Sequence, residues 1–159
     1  MADKLTIGIA DMKMAKGEGM LVTYALGSCI GICLHDPSLK LGALVHIMLP
    51  LNMETGRKNP MKYADTGIKE TLKQMESKGA SRSRIIAKIA GGAMMFKDGS
   101  GSLGNIGQRN IESVKLNLKK EGVRLVKEDV GGTVARTLLF DVNSGLACIR
   151  SYGRQELII

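Results

Sequence analysis

The chain has 159 residues, 44% of them hydrophobic, and a formal net charge of +8 from 23 basic and 15 acidic side chains. This length predicts one domain over residues 1–159, with a core that Ile, Leu, Val and ten Met must fill because aromatic residues are few. The basic residues are scattered rather than interleaved with aromatics, which argues against a nucleic-acid-binding surface and favours a solvated basic exterior.

The cysteines and the hydropathy indicate a reducing compartment. Three cysteines without a C-x-x-C pair predict neither a disulfide framework nor a zinc site, and we expect no metal or cofactor. The first ten residues lack the apolar core of a signal peptide, and no later segment approaches the length that spans a bilayer. We therefore expect a cytoplasmic protein without direct membrane insertion.

The first half of the chain is predicted to consist mainly of strands. Residues 5–10 alternate weakly, and a connection containing Lys and Gly leads to a second strand at 20–25. The next two strands, at 30–34 and 43–49, form a hairpin whose four-residue loop is 36–39.

Two helices and further strands follow. The polar segment 51–62 is predicted to be a surface loop. A first helix begins near Asp65 or Thr66 and ends at Gly79, and a strand spans 85–90. A second helix runs from about 106 to 121, and strands are predicted at 123–127, 133–141, 145–151 and 156–159, with Cys148 in the core. The residues expected to be buried on the helices are Ala64, Ile68, Leu72 and Met75, then Ile106, Ile111, Val114 and Leu118.

Residues 99–104 satisfy the G-x-G-x-x-G pattern of dinucleotide-binding loops. The preceding strand ends well before Gly99, whereas a pyrophosphate loop leaves its strand at once. A loop leading into a helix is the better interpretation. Two helices among eight or so strands predict an α+β fold, a layered sandwich in which a mixed or antiparallel sheet is covered by helices.

The predicted hairpin brings a cysteine and a histidine together. If His35 faces Lys40, Cys29 lies directly opposite His46 on one face, with Cβ atoms about 5 Å apart. An imidazole there takes the thiol proton or, as imidazolium, lowers the thiol pKa. Gly27 and Ser28 predict a bend that leaves backbone N–H groups near the sulfur free to hold an oxyanion.

Structural roles are the alternative for each of these residues. Cys29 is then a small buried hydrophobic side chain and His46 a hydrogen-bonded strand histidine. Thr23 is then an ordinary β-branched strand residue. Its functional alternative is to accept the second N–H of His46, through its hydroxyl or its carbonyl.

These residues resemble the CheD family of chemoreceptor glutamine deamidases. The matching motifs are T-x-x-L-G-S-C at 23–29, D-P at 36–37 and V-H-I-M-L-P at 45–50. Further matches follow in the same order at 62–66, 88–93, 105–110 and 128–132, with Arg136. The resemblance covers nearly the whole chain and implies the same layered fold.

The resemblance also implies a reaction and partners. Cys29 would be the nucleophile, His46 the general base and Thr23 the third member of a triad that converts receptor glutamines to glutamates through a thioester. The implied partners are methyl-accepting chemotaxis receptors and a CheC-type phosphatase, and we expect the free protein to be monomeric. The alternatives are an adaptor that only binds these partners, or a papain-like protease or transglutaminase on the same Cys–His pair.

Basic residues provide a hypothesis for substrate docking. Arg57, Lys58 and Lys62 lie in the predicted loop beside the active strands, and the receptor helices on which the family acts are rich in acidic residues. Arg109 sits on the first turn of the second helix, where a cation is unfavourable for the helix dipole, and so is expected to point towards a carboxylate or a substrate.

Overall fold

A computed structural model describes residues 4–52, 59–95 and 105–159. These residues form ten strands and two α-helices, with a short 3-10 helix at Pro60–Lys62. The helices are α1 (Ala64–Ser77) and α2 (Ile106–Lys120). The strands are β1 (Lys4–Thr6), β2 (Asp11–Lys16), β3 (Met20–Leu26), β4 (Ile30–Asp36), β5 (Leu41–Ile47), β6 (Ile86–Gly91), β7 (Arg124–Val130), β8 (Arg136–Asp141), β9 (Ala147–Ser151) and β10 (Arg154–Ile158).

The strands form two five-stranded sheets. The outer sheet has the order β1-β3-β8-β9-β10 and the central sheet the order β2-β5-β4-β6-β7. The pairs β1–β3 and β6–β7 are parallel, and the other pairs are antiparallel. Both sheets are therefore mixed.

The alternation of side chains along β4 and β5 creates two cores. On one face, Ile32 and Val45 pack with residues of α1 and α2. On the other face, Cys33 and Leu44 pack against Leu138 and Phe140 of the outer sheet. The layers are thus outer sheet, central sheet and helices, and the predicted layered α+β class is confirmed.

The helices match their predicted core faces closely. Ile68, Leu72 and Met75 of α1 are buried, and so are Ile111, Val114 and Leu118 of α2. Ile106, predicted to be buried, is only half-buried at the start of α2. Polar residues also lie on the inner side of α2: Asn110, Ser113 and Asn117 are buried.

Two further predictions are wrong. Residues 11–16, interpreted as a connection, form β2, and the alternation in its sequence Asp-Met-Lys-Met is typical of a strand. Cys148 is half-buried rather than part of the core. Neither the glycine motif at 99–104 nor residues 53–58 belong to the described part of the chain.

Neither α1 nor α2, nor any other helix in the described ranges, combines the length and apolar character needed to cross a membrane.

Candidate active site

The three candidate catalytic residues come from both sheets. Thr23 lies on β3 of the outer sheet, His46 lies on β5 of the central sheet, and Cys29 directly precedes β4. Cys29 packs against the core between the sheets, and His46 contacts Thr23 across that same gap. The site therefore lies between the two sheets.

The predicted hairpin register is wrong by two residues. His46 pairs with Gly31, not with Cys29, because Asp36 remains in β4 opposite Leu41 and the turn begins one residue later. The two-residue slip preserves the strand face, so Cys29 and His46 are diagonal neighbours on one side of the sheet.

The buried carboxylate of Asp36 explains the turn. It accepts hydrogen bonds from the N–H of Ser38 at 3.1 Å and the N–H of Ser81 at 3.1 Å. Arg84 donates two more, at 3.0 and 2.8 Å. These bonds hold Asp36 as the last strand residue, which a loop-length estimate from sequence does not include.

A hydrogen bond between the sheets orients His46. Thr23 Oγ1 lies 2.7 Å from His46 Nδ1 and 2.8 Å from the carbonyl oxygen of Ile7. A carbonyl only accepts, so the single hydroxyl proton of Thr23 goes to Ile7, and His46 Nδ1 must be the donor to Thr23. The hydroxyl, rather than the carbonyl, of Thr23 is thus the oxygen that contacts His46.

This tautomer leaves the other ring nitrogen with a lone pair. His46 is 1% exposed, and its Nε2 has no hydrogen-bond partner among the residues described. The Cys29 thiol and Nε2 are therefore not hydrogen-bonded in this state. A buried imidazole with a directed N–H on one side and a free acceptor on the other is suited to act as a base.

Backbone contacts from the residues that follow β6 hold the cysteine loop. Residues 27–29 form a bend, in which Cys29 O accepts from Gly92 N at 2.9 Å and Gly27 O accepts from Ala93 N at 2.8 Å. A Cβ at Gly91 would collide with Cys29 O, and Gly91 has φ +122°. The end of β6 therefore requires glycine to approach the cysteine.

The bend at Gly27 forms as predicted, but the residue with a left-handed backbone conformation is Ala25, two positions earlier. Ala25 has φ 56° and lies in a β-bulge of β3, where Tyr24 and Ala25 oppose Thr137 alone. The Gly27 N–H donates to Ala25 O at 3.0 Å. In the described structure, the N–H groups of Ser28 and Cys29 donate to no backbone carbonyl.

Burial opposes charge on both Cys29 and His46. Desolvation lowers the pKa of His46 to about 4. Desolvation also raises the pKa of the Cys29 thiol, although its own backbone N–H acts in the opposite direction. The lowered thiol pKa expected from an imidazolium partner is therefore a wrong expectation for the free protein. The pair rests as neutral thiol and neutral imidazole.

The two other cysteines occupy different surroundings. Cys33 is 1% exposed, and burial raises its pKa strongly. Cys148 is half-buried, and burial together with the Glu156 carboxylate raises its pKa. Cys29 is the only cysteine of the three that precedes a strand in a bend close to His46.

Of the basic residues considered for docking, Lys62 and Arg109 are described, whereas Arg57 and Lys58 lie outside the described residues. The carbonyl of Lys62 accepts from the N–H groups of Met48 and Leu49, so its backbone anchors the segment after β5. Arg109 is exposed and lines a groove of about 250 Å³ formed by α2 and residues 50–51.

Sequence reasoning missed three contributors. Gly31 faces His46, and a Cβ there would lie 2.7 Å from Leu138 and 3.5 Å from Thr23. Ile7 supplies the carbonyl that fixes the Thr23 hydroxyl. Asn110 bonds both the cysteine loop and the segment after β5. Only the matching segment at 105–110 carried a signal for any of these residues.

Comparison with known proteins gives consistent matches. The family model described as "CheD chemotactic sensory transduction" matches residues 48–151. The chain is 45% identical over 161 residues to the "Probable chemoreceptor glutamine deamidase CheD" of Syntrophomonas wolfei, covering 100% of both chains. It is 43% identical over 156 residues to the "Chemoreceptor glutamine deamidase CheD" of Thermotoga maritima, covering 96% of this chain and 95% of the relative. A Pyrococcus abyssi relative with the same probable assignment is 44% identical over 151 residues, covering 94% and 93%. The chain therefore belongs to the CheD family.

Proposed function

We propose that this chain is a glutamine deamidase of methyl-accepting chemotaxis receptors, with Cys29, His46 and Thr23 as its catalytic triad. The observation that carries the proposal is the orientation of His46, whose Nδ1–H is directed to Thr23 and whose buried Nε2 is free on the face that Cys29 shares. The names of the relatives supply the substrate class.

In the first half of the reaction, His46 Nε2 takes the thiol proton while Cys29 Sγ attacks the carbon of the glutamine amide. The resulting oxyanion is held by the N–H groups of Ser28 and Cys29, which have no backbone acceptor in the described structure. His46 then returns the proton to the departing nitrogen, and ammonia leaves a thioester on Cys29.

In the second half, His46 removes a proton from water, which attacks the thioester and releases glutamate and the thiol. Because burial holds His46 neutral at pH 7, the imidazole is already in its basic form before each proton transfer. Thr23 prevents the ring from placing a proton on Nε2 at rest, because its hydroxyl accepts from Nδ1. The proposal needs no cofactor.

Docking of the receptor is proposed to use the groove on α2, which Arg109 and Glu112 both line. Arg109 lies at this groove, and Leu51 and Leu116 expose 49% and 53% of their surface beside it. A receptor helix could place an acidic side chain against Arg109 and apolar side chains against the two leucines. Arg57, Lys58 and Lys62 remain proposed contributors to steering.

Charge reversal tests this docking surface. Arg109→Glu should lower deamidation at sub-saturating receptor concentration, most at low salt, because steering acts on association and is screened over about 8–10 Å at physiological ionic strength. The double reversal of Arg57 and Lys58 should act in the same direction. Lys73→Glu, an exposed lysine on α1, is the matched control. Equal effects in Arg109→Glu and Lys73→Glu would remove Arg109 from the docking surface.

Product analysis tests the proposed activity. A receptor fragment incubated with the protein should keep its length and gain the mass of Gln-to-Glu conversion, whereas proteolysis would cut it and transglutamination would add an amine. Cys29→Ala should abolish the change and Cys33→Ala should not. An unaltered receptor fragment with wild-type protein, or full conversion by Cys29→Ala, would contradict the proposal.

Two further expectations follow from the family. Pairing with a CheC-type phosphatase in the cytoplasm, and a monomeric free state, are predictions that co-purification and light scattering would check. The adaptor role is compatible with the enzymatic one, since a protein that binds these partners can also act on the receptor.

A further inference from the structure

One buried side chain connects the two halves of the candidate site. Asn110 of α2 is fully buried, and its Nδ2 donates to Ser28 O at 2.9 Å and to Met48 O at 2.9 Å. Ser28 immediately precedes Cys29, and Met48 follows His46 by two residues. A single amide group therefore fixes the backbone next to both.

The bond to Ser28 acts on the peptide that carries the Cys29 N–H. Ser28 C=O and Cys29 N–H belong to the same planar unit and point in opposite directions. Holding the carbonyl against α2 thus directs the Cys29 N–H away from the helix. That N–H favours the thiolate of Cys29, and it is a proposed oxyanion donor.

An asparagine is suited to making these two hydrogen bonds. An apolar side chain would leave two carbonyls unpaired, and a hydroxyl has only one proton to donate. Asn110 supplies two donors without a charge, although its Oδ1 is buried without a partner among the residues described. An unpaired buried acceptor lowers stability, so an asparagine is expected at this position only if both of its donors are needed.

The neighbouring polar residues on α2 do not make this connection. Ser113 Oγ donates to Pro50 O at 2.6 Å, beyond the end of β5. Asn117 Nδ2 donates to the carbonyl and hydroxyl oxygens of Ser113 within the same helix. Asn117 is therefore a matched control, because it is a buried asparagine on the same helix whose side chain, among the residues described, bonds only within α2.

We propose that Asn110 is a positioning residue, which holds the peptide before the nucleophile and the exit of the histidine strand in one arrangement. This role rests on the proposed function, since it assumes that Cys29 and His46 act together. Asn110 does not touch the reacting atoms. It acts through the backbone to which it is bonded.

Variants of the full chain test the role. Asn110→Ala should lower kcat for receptor deamidation about tenfold or more while KM stays within about twofold. The pH profile of Cys29 alkylation by iodoacetamide should move to higher pH, because the Cys29 N–H is no longer held in place. Asn110→Gln, which keeps both donors, should recover part of the rate. Asn117→Ala should lower thermal stability without changing kcat or the profile.

The wild-type protein gives an independent measurement, whether or not the variants fold. Alkylation of Cys29 should shift the side-chain amide resonances of Asn110 in a nitrogen–proton NMR spectrum and leave those of Asn117 unchanged. Unmoved Asn110 resonances, or wild-type kcat and pH profile in Asn110→Ala, would overturn the positioning role. With Cys29→Ala inactive in the same assay, that result would leave the proposed function intact. Activity in Cys29→Ala would instead overturn the proposed function itself.

Discussion

Replacing Thr23 by Val isolates the contribution of the hydrogen bond between the sheets. Thr23→Val keeps the shape of the side chain but removes the hydroxyl that accepts from His46 Nδ1 and donates to Ile7 O, at 2.7 and 2.8 Å. Thr23 is 0% exposed, so water cannot replace either partner. Each buried group left unpaired costs about 1–3 kcal/mol of stability.

The same loss acts on the rate through the tautomer of His46. If the Nδ1–H form loses about 1–3 kcal/mol relative to the Nε2–H form, the ratio of the two forms falls by a factor of roughly 5 to 150. Deamidation of a receptor fragment should slow by up to that factor, because only the form with a free Nε2 can take the thiol proton. The nitrogen chemical shifts of His46 should report the change of tautomer directly.

Thr23→Ser is the matched control, because it keeps the hydroxyl and removes only a methyl group. It should retain most of the rate and the tautomer of the wild-type protein. A rate within twofold of wild type in Thr23→Val, or equal losses in both variants, would refute this account of His46.

Three further predictions follow. Lowering the pH from 6.5 towards 4 should remove about 3 kcal/mol of folding stability through His46, because His46 is protonated in the unfolded chain but stays neutral in the folded protein. Urea unfolding should show this loss in the wild-type protein and not in His46→Gln. Brief iodoacetamide treatment followed by peptide mapping should label Cys29 before Cys33, which is buried, and the reverse order would contradict the assignment of the nucleophile. Gly91→Ala should destabilise the fold by about 2–4 kcal/mol and slow alkylation of Cys29. Gly131→Ala is the control: Gly131 has φ +86° but open space around it, so the substitution should cost only about 1–2 kcal/mol. Similar thermal shifts in both variants would contradict the proposed close approach.

Periodicity predicted most elements because each one buries a continuous face. The core residues of α1 appear at helical spacing, and β4 and β5 are apolar on both faces because they are covered on both. The strand β2 was missed, although its alternation was present in the sequence, because it was interpreted as a connection.

The site was only partly predictable, for reasons that differ from residue to residue. Cys29 and His46 share a face because a register shift of two residues leaves each side chain on the same side of the sheet. Their exact pairing depends on the groups that donate hydrogen bonds to Asp36. The role of Asn110 depends on where α2 packs, and no local pattern contains that information. The lowered pKa of His46 likewise arises from burial between the sheets, which becomes visible only in three dimensions.

The hydrogen bond between Thr23 and His46 has a consequence for the order of events during synthesis. Cys29 and His46 leave the ribosome early, but the strand that carries Thr23 pairs with β8, which lies at residues 136–141. The outer sheet cannot assemble on the central one before that late segment is available, since long-range strand pairing must await both partners. A nascent chain thus carries its thiol and imidazole for most of its synthesis without the hydrogen bond that orients His46, and the candidate site forms only when the last third of the chain has folded.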